Sequence, residues 1–296
     1  MTGVRAATTV AVILLCAVGS RAQQPQPVPP ALSRLADTER AFAARAAVVG
    51  WKQAFLEYFA DDAVAFNGAK TEPAKDQLKQ VPDPPKDLQL LWEPRYGDVA
   101  ASGDLGWLTG PSTTINPARN NGAPRYGNYA SVWKRQADGS YKVLLDVGIP
   151  LPMEAPFAPG FTRAAVGDRY SGSDTVTAAT GALRGADMAL NRALTRSQEM
   201  AFAGRLTTGA RLHRPAVMPV AGEEAIRTWT RTQPAFSAAD TRAAETAGSR
   251  DLGYTYGTYA LPADGATPVQ QGFYTRVWSR GRDGDWKVAL DVLQPQ

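Results

Sequence analysis

The sequence predicts two tandem copies of one α+β fold. The first observation is an internal repeat: residues 129–147 (YASVWKRQADGSYKVLLDV) match residues 274–292 (YTRVWSRGRDGDWKVALDV) at 11 of 19 positions without a gap. Each copy alternates apolar and polar residues on both sides of an Asp-Gly turn, which is the pattern of a β-hairpin. The second observation is that helical periodicity precedes the strand patterns in each half. This order is typical of an α+β fold and not of βαβ units.

The first half, at about residues 31–150, begins with two predicted helices. Residues 31–50 place Leu35, Phe42 and Ala46 on one face, and aromatic residues then recur at helical spacing from Trp51 to Phe59. The further elements predicted before the hairpin are a strand at 63–66, a helical turn at 75–80 and strands at 88–96, 97–101 and 105–114.

A proline- and glycine-rich segment, residues 151–173, is the predicted linker. The second half, at about residues 174–296, repeats the element order. Its predicted helices lie at 174–194, 198–206 and 223–230, with a strand at 210–213 and further strands from 243 to the end. Matches outside the hairpin support a duplication: Leu35, Glu39, Phe42 and Ala46 correspond to Leu183, Asp187, Leu190 and Leu194, and DLGW at 104–107 corresponds to DLGY at 251–254.

Residues 1–22 have the pattern of a secretory signal peptide. Arg5 precedes an apolar run, and small residues stand before a predicted cleavage site near Ala22. A Pro/Gln tether at 23–30 follows, so we expect a secreted or periplasmic protein. Cleavage would remove Cys16, the only cysteine, and with it any disulfide. No other stretch is apolar and long enough to predict a stable membrane span.

Charge and residue usage exclude several classes of partner. The formal net charge is +4 at pH 7, and it is scattered without the basic stripe that a nucleic-acid interface needs. One histidine without cysteines disfavours a zinc site. The sequence also has no glycine loop that would cradle phosphate and no nucleophile elbow. We therefore expect no nucleic acid, no metal and no cofactor.

Several short motifs together resemble a known family. In the first copy they are Glu39–Phe42, Gly50, Ala54-Phe55, Ala60–Val64, Ser102–Gly106, Val132–Lys134 and Asp138-Gly139 through Asp146; in the second they are Gly222–Arg227, Asp251–Tyr254 and Val277-Trp278 through Asp291. In their order and residues these motifs resemble the nuclear transport factor 2-like superfamily, in particular its SnoaL-like branch of bacterial domains. The resemblance implies that the chain contains two tandem copies of such a domain.

The resemblance implies a fold and leaves the reaction open. Each copy would be a cone, in which a curved antiparallel sheet wraps around three helices and encloses an apolar pocket. Similar proteins include ketosteroid isomerase, scytalone dehydratase, limonene epoxide hydrolase and polyketide cyclases, beside relatives that only bind, so the fold does not choose an activity. Such domains commonly dimerise through sheet faces, which implies that the two copies pack as an internal pseudo-dimer.

Glu39 and Asp187 are the first candidates for catalysis, because each lies on the predicted buried face of a helix. Burial would raise the pKa of such a carboxyl group and suit it to general acid or base chemistry. The alternative is a local cap or an ion pair, for instance with Arg184, Arg192 or an arginine of the sheet.

Asp146 and Asp291 end the last strand of each copy. Strict alternation places them on the faces of Lys142 and Lys287. They are second carboxylates if those faces line the pocket, and otherwise strand-end acids that bind a neighbouring backbone group or lysine.

His213 is the only histidine, and its position corresponds to Phe66 in the first copy. It could form a proton-transfer pair with Asp187 or Asp291, or it could be a packed or surface residue.

Aromatic residues complete the predicted pocket. They are Tyr58, Trp92, Tyr129, Trp133, Tyr256, Tyr274 and Trp278, which could stack on a planar ligand or serve as core. The second copy lacks some of them, since Trp92 corresponds to Ala239, so we expect two pockets of different volume, one of which could be vestigial.

Three functions fit these observations. The first is an exported protein that binds a small, largely apolar molecule. The second is a cofactor-free isomerase, cyclase or dehydratase that uses Glu39 or Asp187 as base, and the third is a scaffold whose pockets are filled by side chains. A dry cavity above about 300 Å³ with a buried acid would favour the enzyme, and a similar cavity without an acid would favour binding.

Overall fold

The computed structural model describes residues 27–68, 70–263 and 269–296. The predicted signal peptide and the first half of the tether, residues 23–26, lie outside the described residues. Among those that are described, no helix is both long and apolar enough to span a bilayer.

The first copy consists of three helices and a mostly antiparallel sheet. Its helices are α1 (Pro30–Val49), α2 (Trp51–Tyr58) and α3 (Ala74–Gln80), with a short 3₁₀ turn at Asn120–Gly122. Its strands are β1 (Val64–Asn67), β2 (Lys70–Pro73), β3 (Gln89–Trp92), β4 (Tyr96–Val99), β5 (Leu105–Ile115), β6 (Arg125–Arg135) and β7 (Tyr141–Leu151), followed by β8 (Thr162–Arg163) of the linker.

The second copy repeats this order with its own sheet. Its helices are α4 (Val176–Leu194), α5 (Gln198–Phe202) and α6 (Glu223–Thr230), and its strands are β9 (Leu206–Arg214), β10 (Val217–Ala221), β11 (Ala238–Thr246), β12 (Leu252–Leu261), β13 (Gln270–Arg280) and β14 (Trp286–Pro295). The strand orders are β7-β6-β5-β4-β8 with β3 beside β5, and β10-β9-β14-β13-β12-β11. The predicted α+β class is confirmed, and each copy has one large sheet; in the first copy β1 and β2 form a separate two-stranded sheet.

The long helices form as their apolar periodicity predicts. Buried residues of α1 recur every three or four positions and put Leu35, Glu39 and Phe42 on one face. Gly50 ends this helix with a positive φ of 84°, which glycine adopts without steric cost. The predicted boundaries differ mainly in the strands: β2, β8 and β10 were not predicted, and β11 begins at Ala238 instead of residue 243.

Both C-terminal hairpins contain the same β-bulge. Val132 pairs with Leu145 but Trp133 pairs with Val143, so Leu144 is the extra residue in β7. The second copy has its bulge at the equivalent place in β14. An extra residue reverses the alternation beyond it, so Asp146 shares a face with Val143 and not with Lys142.

The two copies differ in how they cover the edge of the last strand. In the second copy, β9 runs parallel to β14 and pairs as far as His213 with Val292. In the first copy, β1 pairs only with β2, and a single bridge from Phe59 to Val143 is the parallel contact with β7.

The outer faces of the two sheets pack against each other. One apolar cluster joins residues of both copies, among them Trp107, Val132, Leu252 and Val277. Arg169 of the linker donates hydrogen bonds to Asp98 of one copy and Asp251 of the other. The concave faces, against which Glu39 and Asp187 lie, therefore point away from this contact.

Candidate functional site

Glu39 lies in the middle of α1 and is fully buried against the concave face of the first sheet. Three side chains donate hydrogen bonds to its carboxyl group: Trp92 Nε1 to Oε1 at 2.7 Å, Ser131 Oγ to Oε2 at 2.7 Å and Trp133 Nε1 to Oε2 at 2.9 Å. All three donors are neutral. The first copy thus holds a buried acid whose hydrogen-bond donors carry no positive charge.

Burial raises the pKa of Glu39 to about 7, and the three hydrogen bonds offset only part of that rise. At neutral pH both protonation states are therefore populated. A group with a pKa near the working pH can accept and return a proton, which is the property that acid–base chemistry requires.

Asp146 is the second acid on the same concave face. It pairs in register with Ser131, which itself contacts Glu39. The prediction that it shares a face with Lys142 is wrong, because the bulge at Leu144 reverses the alternation. Burial, and then the nearby Glu39, raise the pKa of Asp146 well above its usual range. The side chain is only half-buried, and no hydrogen bond to it is found in the described part of the chain.

The hydroxyl group of Tyr129 completes this polar cluster. Its ring is buried, and its hydroxyl has no hydrogen-bond partner among the residues that the structure describes. Burial, and then the charges of Glu39 and Asp146, raise the pKa of this phenol. A buried hydroxyl without a partner is energetically unfavourable, so Tyr129 lowers the stability of this interior unless a polar group reaches it.

A cavity of about 490 Å³ extends outward along this face. Its lining includes side chains or glycines of four neighbouring strands: Leu90, Ser112, Thr114, Gly127, Gly148 and Pro150. Gly148 lies opposite Tyr129 in the β6–β7 register, and a Cβ atom added there would meet no atom within 4 Å. The volume lies in the usual range of small-molecule sites.

Aromatic side chains fill the inner part of the first cone. Phe42 is at the centre: its ring centroid lies 4.7 Å from Tyr58, 4.9 Å from Phe55 and Trp92, and 6.1 Å from Trp133. These contacts make the interior beside Glu39 a packed core.

Asp187 is the equivalent acid of the second copy, and its surroundings differ. It is fully buried on α4 and accepts hydrogen bonds from Thr241, Thr255 and Tyr274. It also forms an ion pair with the guanidinium group of Arg276, at 2.8 Å between Nη1 and Oδ1. For Asp187 the alternative of an ion pair with an arginine of the sheet is therefore the observed one.

Arg276 links the two acids of the second copy. It is fully buried, and its Nε contacts Oδ2 of Asp291 at 2.5 Å. Arg214 reaches the other oxygen of Asp291 at 2.7 Å. Burial alone would raise the pKa of Asp291, but the two guanidinium groups outweigh it and hold that pKa below its usual range. The result is a row of four charged groups of alternating sign, which runs from Asp187 through Arg276 and Asp291 to Arg214.

The second concave face also lacks the open position beside the tyrosine. Leu293, which is buried, lies opposite Tyr274 where Gly148 lies opposite Tyr129. The Tyr274 hydroxyl donates to Asp187 at 2.6 Å. Charge pairing and apolar packing thus occupy the region that stays open in the first copy.

For His213 the structure shows the alternative of a packed residue, whereas Tyr256 does not point into the interior as predicted. His213 is buried in β9, and neither ring nitrogen has a hydrogen bond to any described residue, so it pairs with neither Asp187 nor Asp291. Burial, together with Arg211 and Arg214, lowers its pKa to about 3. Tyr256 lies on the outer face of its sheet and packs against Phe66 of the first copy, because alternation along β12 turns Thr255 inward instead.

Trp278, the last predicted pocket residue of the second copy, is buried and donates its indole N–H to the Thr255 hydroxyl at 2.9 Å. Among the described residues no group of three His, Cys, Asp or Glu side chains could hold a metal ion.

A larger groove of about 1010 Å³ lies outside the helices, between the end of α1, α2 and the loop at 83–91. Of the three lysines in its lining, Lys52 donates hydrogen bonds to the Val81 carbonyl group and to Asp83. The groove contains neither of the buried acids, so its size alone does not make it the candidate site.

Sequence reasoning missed four residues that define the difference between the copies. They are Ser131, Gly148, Arg214 and Arg276. The signal was present for two of them, since Ser131 and Arg276 occupy the same position of the aligned hairpins and differ in charge. Gly148 and Leu293 follow directly after the aligned stretch.

No protein-family model and no curated protein matches the chain. Several solved structures are similar to it. A nuclear transport factor 2-like superfamily protein from Salmonella enterica is 10% identical with a TM-score of 0.33, over 40% of this chain and 92% of that chain.

A dehydratase candidate of the NTF2-like family from Streptomyces avermitilis is 14% identical with a TM-score of 0.32, over 40% and 97% of the two chains. A ketosteroid isomerase candidate from Parabacteroides distasonis is 20% identical with a TM-score of 0.31, over 37% and 85%. The solved structures to which this chain is similar thus include nuclear transport factor 2-like proteins, each over about the length of one of its two copies.

Proposed function

We propose that the first copy binds a small, largely apolar molecule in the cavity on its concave face, and that the second copy serves as its structural partner. The carrying observation is the cavity of about 490 Å³ itself, whose lining includes Gly148, whereas the buried Leu293 takes that position in the second copy. On the same concave face, Asp146 and the Tyr129 hydroxyl have no hydrogen-bond partner among the described residues, whereas Asp291 forms ion pairs with Arg214 and Arg276 and Tyr274 donates to Asp187.

The lining supports an apolar ligand with one polar end. Leu90, Pro150 and the glycines of the lining offer apolar surface, and Ser112 and Thr114 add two hydroxyl groups. A ligand that fills such a site would bury its apolar surface there and place a polar group beside Ser112 and Thr114.

The test is binding of N-phenylnaphthylamine, a probe whose fluorescence rises in apolar sites. The variant Gly148→Leu copies Leu293 of the second copy and should fill the cavity beside Tyr129. We expect it to weaken probe binding by about tenfold or more. The matched control is Gly185→Leu, an exposed position of α4 where an added Cβ meets open space, which should bind as the unchanged protein does.

Two results would contradict this function. One is an unchanged protein that shows no saturable fluorescence increase. The other is a Gly148→Leu variant that remains folded by circular dichroism and binds the probe with unchanged affinity.

A second candidate function is proton transfer on the bound molecule. The observation that favours it is the pKa of Glu39, which burial raises to about 7 beside the same cluster. Glu39 would act as acid or base only if the ligand reaches it past Trp92. If the variant Trp92→Phe binds the probe with unchanged affinity, this would count against contact between the ligand and this inner region.

We further propose that the two copies act as an internal pseudo-dimer. Support comes from contacts across the outer sheet faces: Phe66 stacks on Phe273 at 4.2 Å, Tyr96 donates to the Gly209 carbonyl group, and Lys134 pairs with Glu245. A single cooperative unfolding transition, seen equally by fluorescence and circular dichroism, is the expected result. Two separate transitions would contradict it.

Export is proposed from the sequence pattern of residues 1–22. Mass spectrometry of the protein recovered from its host should find a chain that begins near Gln23. An intact N-terminus on protein from the cell interior would contradict export.

A further inference from the structure

The cavity of the first copy has one charged side chain in its lining, the guanidinium group of Arg125. This residue begins β6 and is exposed to solvent, and it forms no ion pair with any residue that the structure describes. The described lining contains no acid. The cavity therefore has a positive group for which the described part of the protein supplies no counter-ion.

Two hydroxyl groups lie beside this guanidinium group on the concave face. Thr114 of β5 is the direct cross-strand neighbour of Arg125, and Ser112 lies on the same face of β5, opposite Gly127. A Cβ atom added at Gly127 would lie 2.8 Å from the Ser112 Oγ, so this hydroxyl stands over the glycine in the cavity lining. Neither hydroxyl has a hydrogen-bond partner among the described residues, and both side chains are half-buried.

The second copy has other residues at these three positions. By the register of the equivalent strands they are Tyr259, Leu261 and Gln270. Tyr259 is buried, and its hydroxyl donates to the amide oxygen of Gln270 at 3.4 Å. The second copy thus carries no charge at these positions, and its one hydroxyl group there already has a partner.

We propose that the ligand of the first copy is an amphipathic carboxylate. Its carboxylate group binds Arg125 and accepts hydrogen bonds from the hydroxyls of Thr114 and Ser112. A carboxylate fits the planar donor fork of a guanidinium group and accepts hydrogen bonds from hydroxyl groups as well, whereas an amine would meet a like charge. This inference rests on the proposed binding function and names the ligand class of the same site.

The order of the lining residues gives the orientation of this ligand. Arg125 is at the outer end, Gly127 opposite Pro150 comes next, and Gly148 lies further in. Asp146 lies beyond Gly148 on β7 and is not part of the lining. The apolar part of the ligand therefore lies at the inner end, and its carboxylate group stays at the outer end, away from the acids of the interior.

The experiment compares 2-naphthylacetic acid with 2-naphthylacetamide, which share a ring system and a planar head group and differ in charge at neutral pH. Each displaces N-phenylnaphthylamine from the full-length mature chain at low salt. We expect the acid to bind about fivefold more tightly than the amide, since an exposed arginine contributes modestly to an ion pair. Added salt should reduce this preference, because it screens the charge of Arg125.

Three variants assign the preference to these side chains. Arg125→Gln copies Gln270 of the second copy and should bring the two affinities within about twofold of each other. Arg135→Gln is the matched control, since it removes an exposed arginine from the opposite end of the same strand and should preserve the preference. Thr114→Val keeps the shape of the side chain without its hydroxyl and should lower the preference, which also covers the case in which Arg125→Gln fails to fold.

The outcomes separate this inference from the proposed function. If both compounds displace the probe with equal affinity, the carboxylate inference is overturned and the binding function stands. If the preference for the acid is as large in Arg125→Gln as in Arg135→Gln, the inference is overturned as well, because Arg125 does not select the ligand. If the probe itself shows no saturable binding, the proposed function fails, and this inference fails with it.

Discussion

The two copies bury an acid at the same position of their first helix and surround it in opposite ways. Glu39 receives hydrogen bonds from two indoles and a serine, and burial raises its pKa to about 7. Asp187 is paired with a buried arginine that also binds Asp291. One substitution in the repeat, Ser131 against Arg276, accounts for most of this contrast. The comparison shows that two copies of one fold can keep the same shape while only one of them pairs its buried acid with a positive charge.

The packing around the tyrosines follows the same division. Gly148 leaves the position opposite Tyr129 open, and Leu293 fills the position opposite Tyr274. In the second copy β9 also covers the edge of β14, while β1 leaves most of the β7 edge uncovered. Charge, volume and edge pairing thus all make the second copy the more closed of the two.

The largest effect is expected from Arg276→Met. Removing this guanidinium group leaves Asp187 and Asp291 buried with less compensation, and loss of one partner from a buried ion pair costs about 3–5 kcal/mol. The measurement is the free energy of unfolding from urea denaturation monitored by tryptophan fluorescence.

The control for this variant is Arg242→Met, since Arg242 pairs with Asp240 at the surface. Exposed pairs contribute about 0–1 kcal/mol, so the control should stay close to the unchanged protein. If the free energy of unfolding of Arg276→Met falls by less than about 1 kcal/mol, the ion pairs of Arg276 do not stabilise the second copy.

The next effect is the pH dependence of stability, which should have opposite signs for Glu39 and Asp291. Burial raises the pKa of Glu39 from its usual 4.5 to about 7, so the folded state holds this proton more tightly than the unfolded chain does. Its neutral form therefore favours folding below the unfolded-state pKa, and that contribution is lost as pH rises through about 7. As pH rises from about 4.5 to about 7, the contribution of Glu39 to the free energy of unfolding falls by an amount on the order of 3 kcal/mol.

Glu39→Gln removes this titration. We expect the variant to gain stability relative to the unchanged protein as pH is raised from about 5 to about 8, measured by urea denaturation at each pH. Asp291 should show the opposite sign, because its pKa is lowered and its contribution is lost as pH falls through the folded value. A stability difference between Glu39→Gln and the unchanged protein that does not change with pH would refute the assignment of a raised pKa.

The smallest effect is expected from Ser131→Ala. The Ser131 hydroxyl donates one of three hydrogen bonds to Glu39, and two indole donors remain. A single hydrogen bond of this kind contributes about 1 kcal/mol to the free energy of unfolding.

Ser140→Ala is its control, because Ser140 binds Asp138 in an exposed turn and should contribute less. If both variants lose the same small amount, Ser131 does not act on the buried acid.

The sequence was sufficient for those features that depend on local pattern. The period of Leu35, Glu39, Phe42 and Ala46 places an acid on a buried helical face, and the structure buries both Glu39 and Asp187 completely. The repeat of the hairpin predicts one sheet per copy, and the alternation with Asp-Gly turns gives its strands. These features depend on neighbours within a few residues along the chain.

Three features depended on tertiary structure. The bulge at Leu144 turns Asp146 toward Ser131, and alternation alone gives the wrong face because one unpaired residue reverses it. His213 carries no mark in the sequence that separates a buried, unpaired ring from a catalytic one.

The pairing of Asp187 with Arg276 joins residues from a helix and a strand that are far apart in the chain. By itself the sequence determined that each copy has an acid inside; the tertiary structure decided which acid is neutralised. The physical reason is that the charge state of a buried group depends on everything packed around it, and those neighbours come from distant parts of the chain.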